Sequence, residues 1–326
     1  MAVPTLMVLG TGGTIAGLAG SATRADYRPG QIGLADFIGR VEALGLPARL
    51  FGKQVANIGS EDIGPEIWRR LHAECVAALA DDGIAGVIVT HGTDTAEETA
   101  LLLDLTLPTT KPVVLVGAMR PADVVGSDGL RNFANAVRLA SDPAASRRGV
   151  MLVMGDRAIA ARDARKARTR GTDAFRGFPR DGVAAVTPSA LEWFGPAWRE
   201  DTGARFAFPE RFPKVPIVYA RAGMGGEAVE HLLTRQPDGI VIAGFGEGNM
   251  PQAVRAALAE TAHRGLPVVR ASRVDAGLVD REPEDDANGF IAARALGPAK
   301  ARILLQVLLA NGIADAEAIQ AAFDRR

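Results

Sequence analysis

The sequence predicts an α/β protein: a larger N-terminal domain built on a doubly wound, mainly parallel sheet, then a smaller C-terminal α/β domain. Three observations carry this. Short Val- and Ile-rich runs alternate with helical patterns along nearly all of the 326 residues. The runs are almost continuously apolar, as in strands covered by helices on both faces. One stretch, 187–213, breaks the rhythm with four prolines and two of the three tryptophans, and reads as a connection between domains.

Taken in order, strands are expected at 5–10 ("TLMVLG"), 86–92 ("GVIVTHG"), 111–118 ("KPVVLVGA") and 148–156 ("RGVMLVMGD"). Helices are expected at 64–82, 95–107 and 128–142, where apolar residues recur at helical spacing. After the connection, strands are expected at 214–220, 238–246 and 266–272, with helices at 250–265 and 297–312. The domains are then 1–190 and 213–326, with 191–212 as the linker.

Composition excludes several classes. The formal net charge is -1, so nothing global favours nucleic acid or an anionic membrane. The apolar stretches are too short and interrupted to span a bilayer. The N-terminus shows no basic segment, apolar segment and cleavage site in series. Cys75 is the only cysteine, which excludes an intrachain disulfide and favours a reducing compartment. The expected location is cytoplasmic, or periplasmic had a signal peptide been removed.

The chemistry centres on two loops. "LGTGGTIAGLAG" (9–20) leaves the first strand with many glycines and with Thr14 among them. It is no dinucleotide fingerprint, because Ile15 stands where the third glycine of G-x-G-x-x-G belongs. A plain strand-to-loop turn would also use glycines, which take positive φ at low cost. The second loop, "VTHGTDTAEET" (89–99), again leaves a strand and again sets a hydroxyl, Thr93, beside a glycine. In a parallel sheet the carboxyl ends of the strands share one edge, so both loops are expected at one pocket. Bare glycines there let backbone N–H groups approach a substrate oxygen, and Thr14 is the candidate nucleophile.

A hydroxyl needs a partner that removes its proton. His72, His231 and His263 lie in helical patterns and read as surface or packing residues, while His91 reads as orienting its loop. G-x-S-x-G is absent, which argues against an α/β-hydrolase, and one cysteine with scattered histidines argues against zinc. A desolvated lysine can act as base, and Lys166 in "ARDARKARTRGTDAF" is the candidate. Against it, the six cations from Arg157 to Arg170 read as a solvated face, Arg165 and Arg168 included. A nucleic-acid patch is the weaker reading, since no stacking aromatics interleave.

"TGGTIAG" (11–17) with "HGTDTAEET" (91–99) resembles the bacterial-type L-asparaginase family. The resemblance continues through "SATRADY" (21–27), "VANIGSED" (55–62), "KPVVLVGAMRP" (111–121), "ARDARK" (161–166), "DGIVIAGFGEGN" (238–249), "VVRASRV" (268–274) and "PAKARILLQ" (298–306), and is nearer the type II branch. It implies two α/β domains, the larger holding most of the site, and hydrolysis of L-asparagine to L-aspartate and ammonia. It implies Thr14 as the attacking threonine, and Tyr27 as the tyrosine of a loop that closes over the substrate and hydrogen-bonds that threonine. Thr93, Asp94 and Lys166 match the triad-like group that polarises a hydroxyl or water. Ser60 and Glu61 match residues holding the α-carboxylate and α-amino groups, Asp94 also taking the amino group; the carbonyl of Ala118 would receive the side-chain amide. Asn249 and Glu282 match residues given by a neighbouring subunit of a homotetramer, whose sites are completed across the close dimer; Glu284 is the alternative to Glu282. The family implies a small-molecule substrate and no metal or organic cofactor. Many members carry Gln where this chain has Glu61, though others carry Glu, so that position leaves the preference between the two amides open; some glutaminase-asparaginases carry Ser where it has Asn249, and that position leans this chain toward asparagine. The alternatives are a glutaminase-asparaginase using both amides, and a non-catalytic amino-acid sensor on the same scaffold.

Overall fold

The apolar runs of the N-terminal half become the inner strands of one eight-stranded sheet. The structure, a computed structural model, describes residues 3–21, 28–187, 189–199 and 204–325. Its chain divides into two units, Met1–Arg205 and Phe206–Arg326.

In the first unit the elements run β1 (Thr5–Gly12), α1 (Leu34–Glu42), β2 (Arg49–Ile58), α2 (Pro65–Ala80), β3 (Gly86–Thr90), α3 (Ala96–Thr106), β4 (Val113–Val116), α4 (Gly129–Ser141) and β5 (Val150–Met154). Five short strands follow: β6 (Arg157–Ala160), β7 (Ala164–Lys166), β8 (Phe175–Gly177), β9 (Ala184–Val186) and β10 (Leu191–Trp193). The sheet order is β10-β9-β6-β5-β4-β3-β1-β2. From β5 to β2 neighbours are parallel, and β6, β9 and β10 extend the sheet antiparallel. β7 and β8 form a separate hairpin-like pair.

The sheet is doubly wound because its strands bury both faces. Leu6 and Val8 of β1 face α1 and α4, where Phe37 and Phe133 meet edge to face at 5.1 Å. Leu9, Val87 and Val89 face α2 and α3. Each such side chain, fully out of water, contributes about 1.5–3 kcal/mol. β3, β4 and β5 are buried throughout, which explains their continuous apolar runs.

Among the elements that reading missed, two escaped it for opposite reasons. β2 is an edge strand with mostly exposed side chains, so it carries no apolar run. α1 has the helical signature, with Leu34, Phe37, Ile38 and Val41 buried at i, i+3, i+4 and i+7, interrupted in sequence by Gly39. Leu191–Trp193, expected in the connection, instead pairs with Ala184–Val186 and belongs to the large sheet. There the Trp193 ring lies against the Arg148 guanidinium, 4.0 Å away, so tryptophan marks packing rather than a linker.

In the second unit β11 (Ile217–Tyr219), β12 (Ile240–Gly244), β13 (Val268–Ser272) and β14 (Phe290–Ala292) form a parallel sheet in that order. α5 (Glu227–Leu233) and α6 (Gln252–His263) cover one face through Val229, Val254 and Leu258. α7 (Pro283–Asn288) leads into β14; α8 (Pro298–Ala310) packs on β12 and β13, and α9 (Ala316–Asp324) packs on β14. The buried Gln320 amide pairs with Ala292 N and O, closing the edge of β14 with a side chain. Among the described residues no helix is long and apolar enough to cross a membrane.

Candidate active site

Four adjacent parallel strands, in the order β4-β3-β1-β2, end at one edge of the large sheet. The chain leaves β1 toward β2 on one side and passes from β3 to β4 on the other. The crevice between the ends of β1 and β3 is therefore the switch point of the fold, where ligands of open α/β sheets bind. Thr14 follows β1, Ser60 and Glu61 follow β2, Thr93 and Asp94 follow β3, and Ala118 follows β4.

Glycines let these loops touch. Gly12 and Gly13 have φ of 100° and 78°, a region that favours glycine. A Cβ on Gly13 would lie 2.4 Å from Gly92 Cα, and one on Gly92 would lie 2.6 Å from Ser60 Oγ. A Cβ on Gly117 would lie 2.8 Å from the His91 carbonyl oxygen and 3.0 Å from Thr93 Cγ2. The four loops are thus nested backbone to backbone. Gly13 N donates to Ile58 O at 2.9 Å, Asp94 N donates to Ser60 Oγ at 3.1 Å, and Thr95 Oγ1 donates to Ser60 O at 2.8 Å.

Thr14 opens a 3-10 turn, Thr14–Ala16, and is 6% exposed. Ser60 and Thr93 are also buried, while Glu61 and Asp94 reach solvent. Lys166, at the end of β7, donates from Nζ to Thr93 Oγ1 at 2.9 Å and pairs with the Asp94 carboxylate. The lysine side chain is mostly buried and the Asp94 side chain mostly exposed. The structure therefore brings Thr93, Asp94 and Lys166 together, although Lys166 is over seventy positions away in the chain. Ala118 is fully buried, and its loop is fixed by Asp128, which accepts from Met119 N and Arg120 N at 3.0 Å.

One residue that the motifs did not single out holds this arrangement. Glu97 of α3 accepts the backbone N–H of Lys166 at 2.7 Å, which sets where the lysine side chain starts. Its signal was its place in "HGTDTAEET", one helical turn beyond Asp94. Arg165, expected as part of a solvated face, is 8% exposed with its guanidinium over the Phe178 ring at 5.0 Å. The fold explains this correction: Ala164–Lys166 pairs with Phe175–Gly177, Asp163 to Arg165 are all buried there, and the Arg165 guanidinium is covered by the Phe178 ring. Arg168, by contrast, is exposed and pairs with Asp173.

His91 is fully buried, and its Nδ1 donates to Gly92 O at 2.7 Å, which gives the loop-orienting arrangement expected of it. Burial pushes its pKa down to about 4, the Gly92 carbonyl opposing in part. His72 and His263 bond backbone carbonyls away from these loops.

In the second unit Asn249 closes a tight turn, exchanging backbone hydrogen bonds with Phe245 at 2.7 Å. Glu282 immediately precedes α7, and its backbone N–H donates to Asp285 at 2.9 Å. Glu284 pairs with Arg255 of α6 at 3.0 Å. Tyr27 lies outside the described residues.

Comparison with known proteins agrees along the whole chain. A family model described as "Asparaginase, N-terminal" matches residues 5–199, and one described as "Glutaminase/Asparaginase C-terminal domain" matches residues 214–323. "L-asparaginase 2" of Escherichia coli K12 is 38% identical over 334 aligned positions, covering 100% of this chain and 94% of that protein. "Glutaminase-asparaginase" of Pseudomonas fluorescens is 36% identical, covering 93% of this chain and 86% of that one. The crystal structure of a probable cytoplasmic L-asparaginase from Campylobacter jejuni superposes with a TM-score of 0.91 at 36% identity, covering 98% and 99% of the two chains.

Proposed function

The chain belongs to the asparaginase family, and on that premise we propose that it hydrolyses L-asparagine to L-aspartate and ammonia with Thr14 as the nucleophile. The observation that supports this most is the nesting of the Thr14 loop against the loop whose Thr93 and Asp94 are bound by Lys166. A nucleophile and a proton-handling group are then held on rigid strand ends, as covalent catalysis requires.

In this reading Thr14 Oγ attacks the side-chain carbonyl carbon. The C–N bond breaks, and the threonine proton ends on the departing ammonia. Water, polarised by the Thr93–Lys166–Asp94 group, then hydrolyses the acyl-threonine. Ser60 and the loop N–H groups hold the α-carboxylate; Asp94 and Glu61 hold the α-ammonium; the Ala118 carbonyl accepts from the amide nitrogen. A neighbouring subunit supplies Asn249 and Glu282. Glu282, whose side chain caps α7 and stands 4.0 Å from the Arg270 guanidinium, is the first candidate, with Glu284, paired with Arg255, as the alternative. The proposed assembly is the homotetramer of the family, and the proposed location is the cytoplasm.

The test is ammonia release from asparagine and from glutamine at about 1 mM. Thr14→Ala should remove nearly all turnover, yet asparagine should still raise its melting temperature, since a ligand bound to the native state stabilises it. Substantial activity in that variant would remove Thr14 from its role. Near-equal use of both amides would favour a glutaminase-asparaginase, and binding without turnover in the unaltered protein would favour a sensor.

A further inference from the structure

Arg270, in the middle of β13, is a charged side chain with 2% exposure. Such burial is costly unless every donor is used, and here the donors are distributed in an informative way. Nε and Nη2 grip Asp285 through both carboxylate oxygens, at 2.7 and 2.6 Å. Nη2 also donates to the carbonyl of Asp280 at 2.6 Å, and Nη1 donates to the carbonyl of Glu247. Asp285 in turn accepts the backbone N–H of Glu282. One guanidinium therefore ties together two segments about thirty residues apart: the turn ending in Asn249 and the segment carrying Glu282.

The turn is built to sit on this side chain. Gly248 has φ of 93°, and a Cβ there would lie 2.8 Å from Arg270 Cγ. A Cβ on Gly244 would lie 2.3 Å from the carbonyl carbon of Gly248, so the turn folds flat against the end of β12. Glu282 Oε2 stands 4.0 Å from Nη2, near enough to feel the charge while its side chain remains 45% exposed.

We propose that Arg270, clamped by Asp285, is a positioning residue that sets the spacing between Asn249 and Glu282, so that both meet the α-ammonium of substrate in the neighbouring subunit's site. This rests on the assignment of those two residues above. A planar fork with donors in fixed directions suits the task, because it reaches a carboxylate and two carbonyls at once. Lysine, a point charge on a flexible stem, satisfies the carboxylate but cannot span both segments.

The experiment uses the intact oligomer with Arg270→Lys, Asp285→Asn and Glu282→Ala. L-aspartate and succinate, which differ only in the α-amino group, serve as competitive inhibitors. In Arg270→Lys and Asp285→Asn, KM for asparagine and Ki for aspartate should rise about tenfold or more, with kcat within about threefold and Ki for succinate unchanged, the signature of lost ground-state binding at one group. Equal weakening of aspartate and succinate, or loss of kcat at constant KM, would overturn the proposal. So would failure of both Arg270→Lys and Asp285→Asn to fold, which would make the pair a fold-holding one. If Glu282→Ala leaves the aspartate Ki unchanged, the reading of Glu282 fails and the proposal falls with it. If Glu282→Ala weakens aspartate and Arg270→Lys does not, the proposal alone fails.

Discussion

Lys166 and His91 show how much a single side chain's surroundings decide. Lys166 is one of six cations between Arg157 and Arg170, and its Nζ contacts to Thr93 and Asp94 single it out among them. Lys166→Met should lower kcat by about 10² or more, the lower end for a positioned proton-transfer group. Arg168→Met should change kcat by less than about twofold, as an exposed ion pair does little. Steady-state kinetics of both variants check this; equal losses would mean that the stretch acts as a diffuse cationic patch. Arg165 is no such control, because it is buried. His91 is held neutral by burial, its pKa pushed down to about 4 from 6.5. Above pH 6.5 both folded and unfolded chains carry it neutral, and its contribution is intact. As the pH falls from 6.5 toward 4, the unfolded chain takes up a proton that the native protein refuses. Stability should therefore fall over that window by about 3 kcal/mol from this residue. His91→Asn retains a donor toward Gly92 O and cannot titrate. Its melting temperature should decline less steeply between pH 6.5 and 4 than that of the parent protein, and parallel curves would refute the assignment.

At the scale of elements, the site is a stack of strand ends rather than a set of side chains on one loop. The stack depends on missing side chains. Gly13→Ala must place a methyl 2.4 Å from Gly92 Cα at positive φ, so the β1 and β3 loops must part. With ψ of -172° Gly13 lies in a region essentially reserved to glycine, which alone costs a residue with a Cβ about 1–3 kcal/mol, and the clash adds to it. Gly155 has a similar φ of 61° with open space around its Cα. Both alanine variants should lose stability through positive φ, but only Gly13→Ala should lose more than about 10² in kcat/KM, because small displacements of positioned groups cost that much. Melting curves beside kinetics separate the two effects. If Gly13→Ala retains activity, the close packing of the two loops is not what holds Thr14 in place.

At the scale of the whole molecule, the proposed site takes Thr14 from one subunit and Glu282 from another. An isologous two-fold interface then forms two composite sites per close dimer. Thr14→Ala and Glu282→Ala proteins should each be impaired. In a mixed dimer one site collects both defects, and the other collects intact Thr14 and intact Glu282. Co-refolding the two variants should restore activity well above the sum of the separate proteins, toward one working site per mixed dimer. Absence of rescue in demonstrably mixed oligomers would show that Glu282 does not complete the site across the interface.

The inner strands and their covering helices were legible because burial on both faces forces continuous Val and Ile runs, as in β3, β4 and β5. That the loops of Thr14, Thr93 and Asp94 meet was legible because the ends of adjacent parallel strands share one edge of the sheet. β2 was not, since an edge strand owes its place to backbone pairing with β1 and needs no apolar pattern. Lys166 could be named a candidate base from the sequence, but nothing in its run of cations set it apart: Thr93, Asp94 and the Glu97 carboxylate under its backbone arrive from another part of the chain. Arg270 and Asp285 were invisible for the same reason, reading as two ordinary charges until the fold removed both from water and closed one on the other. Local periodicity is a property of the chain and can be read along it. Desolvation and the meeting of distant groups are properties of packing, and exist only once the tertiary structure has formed.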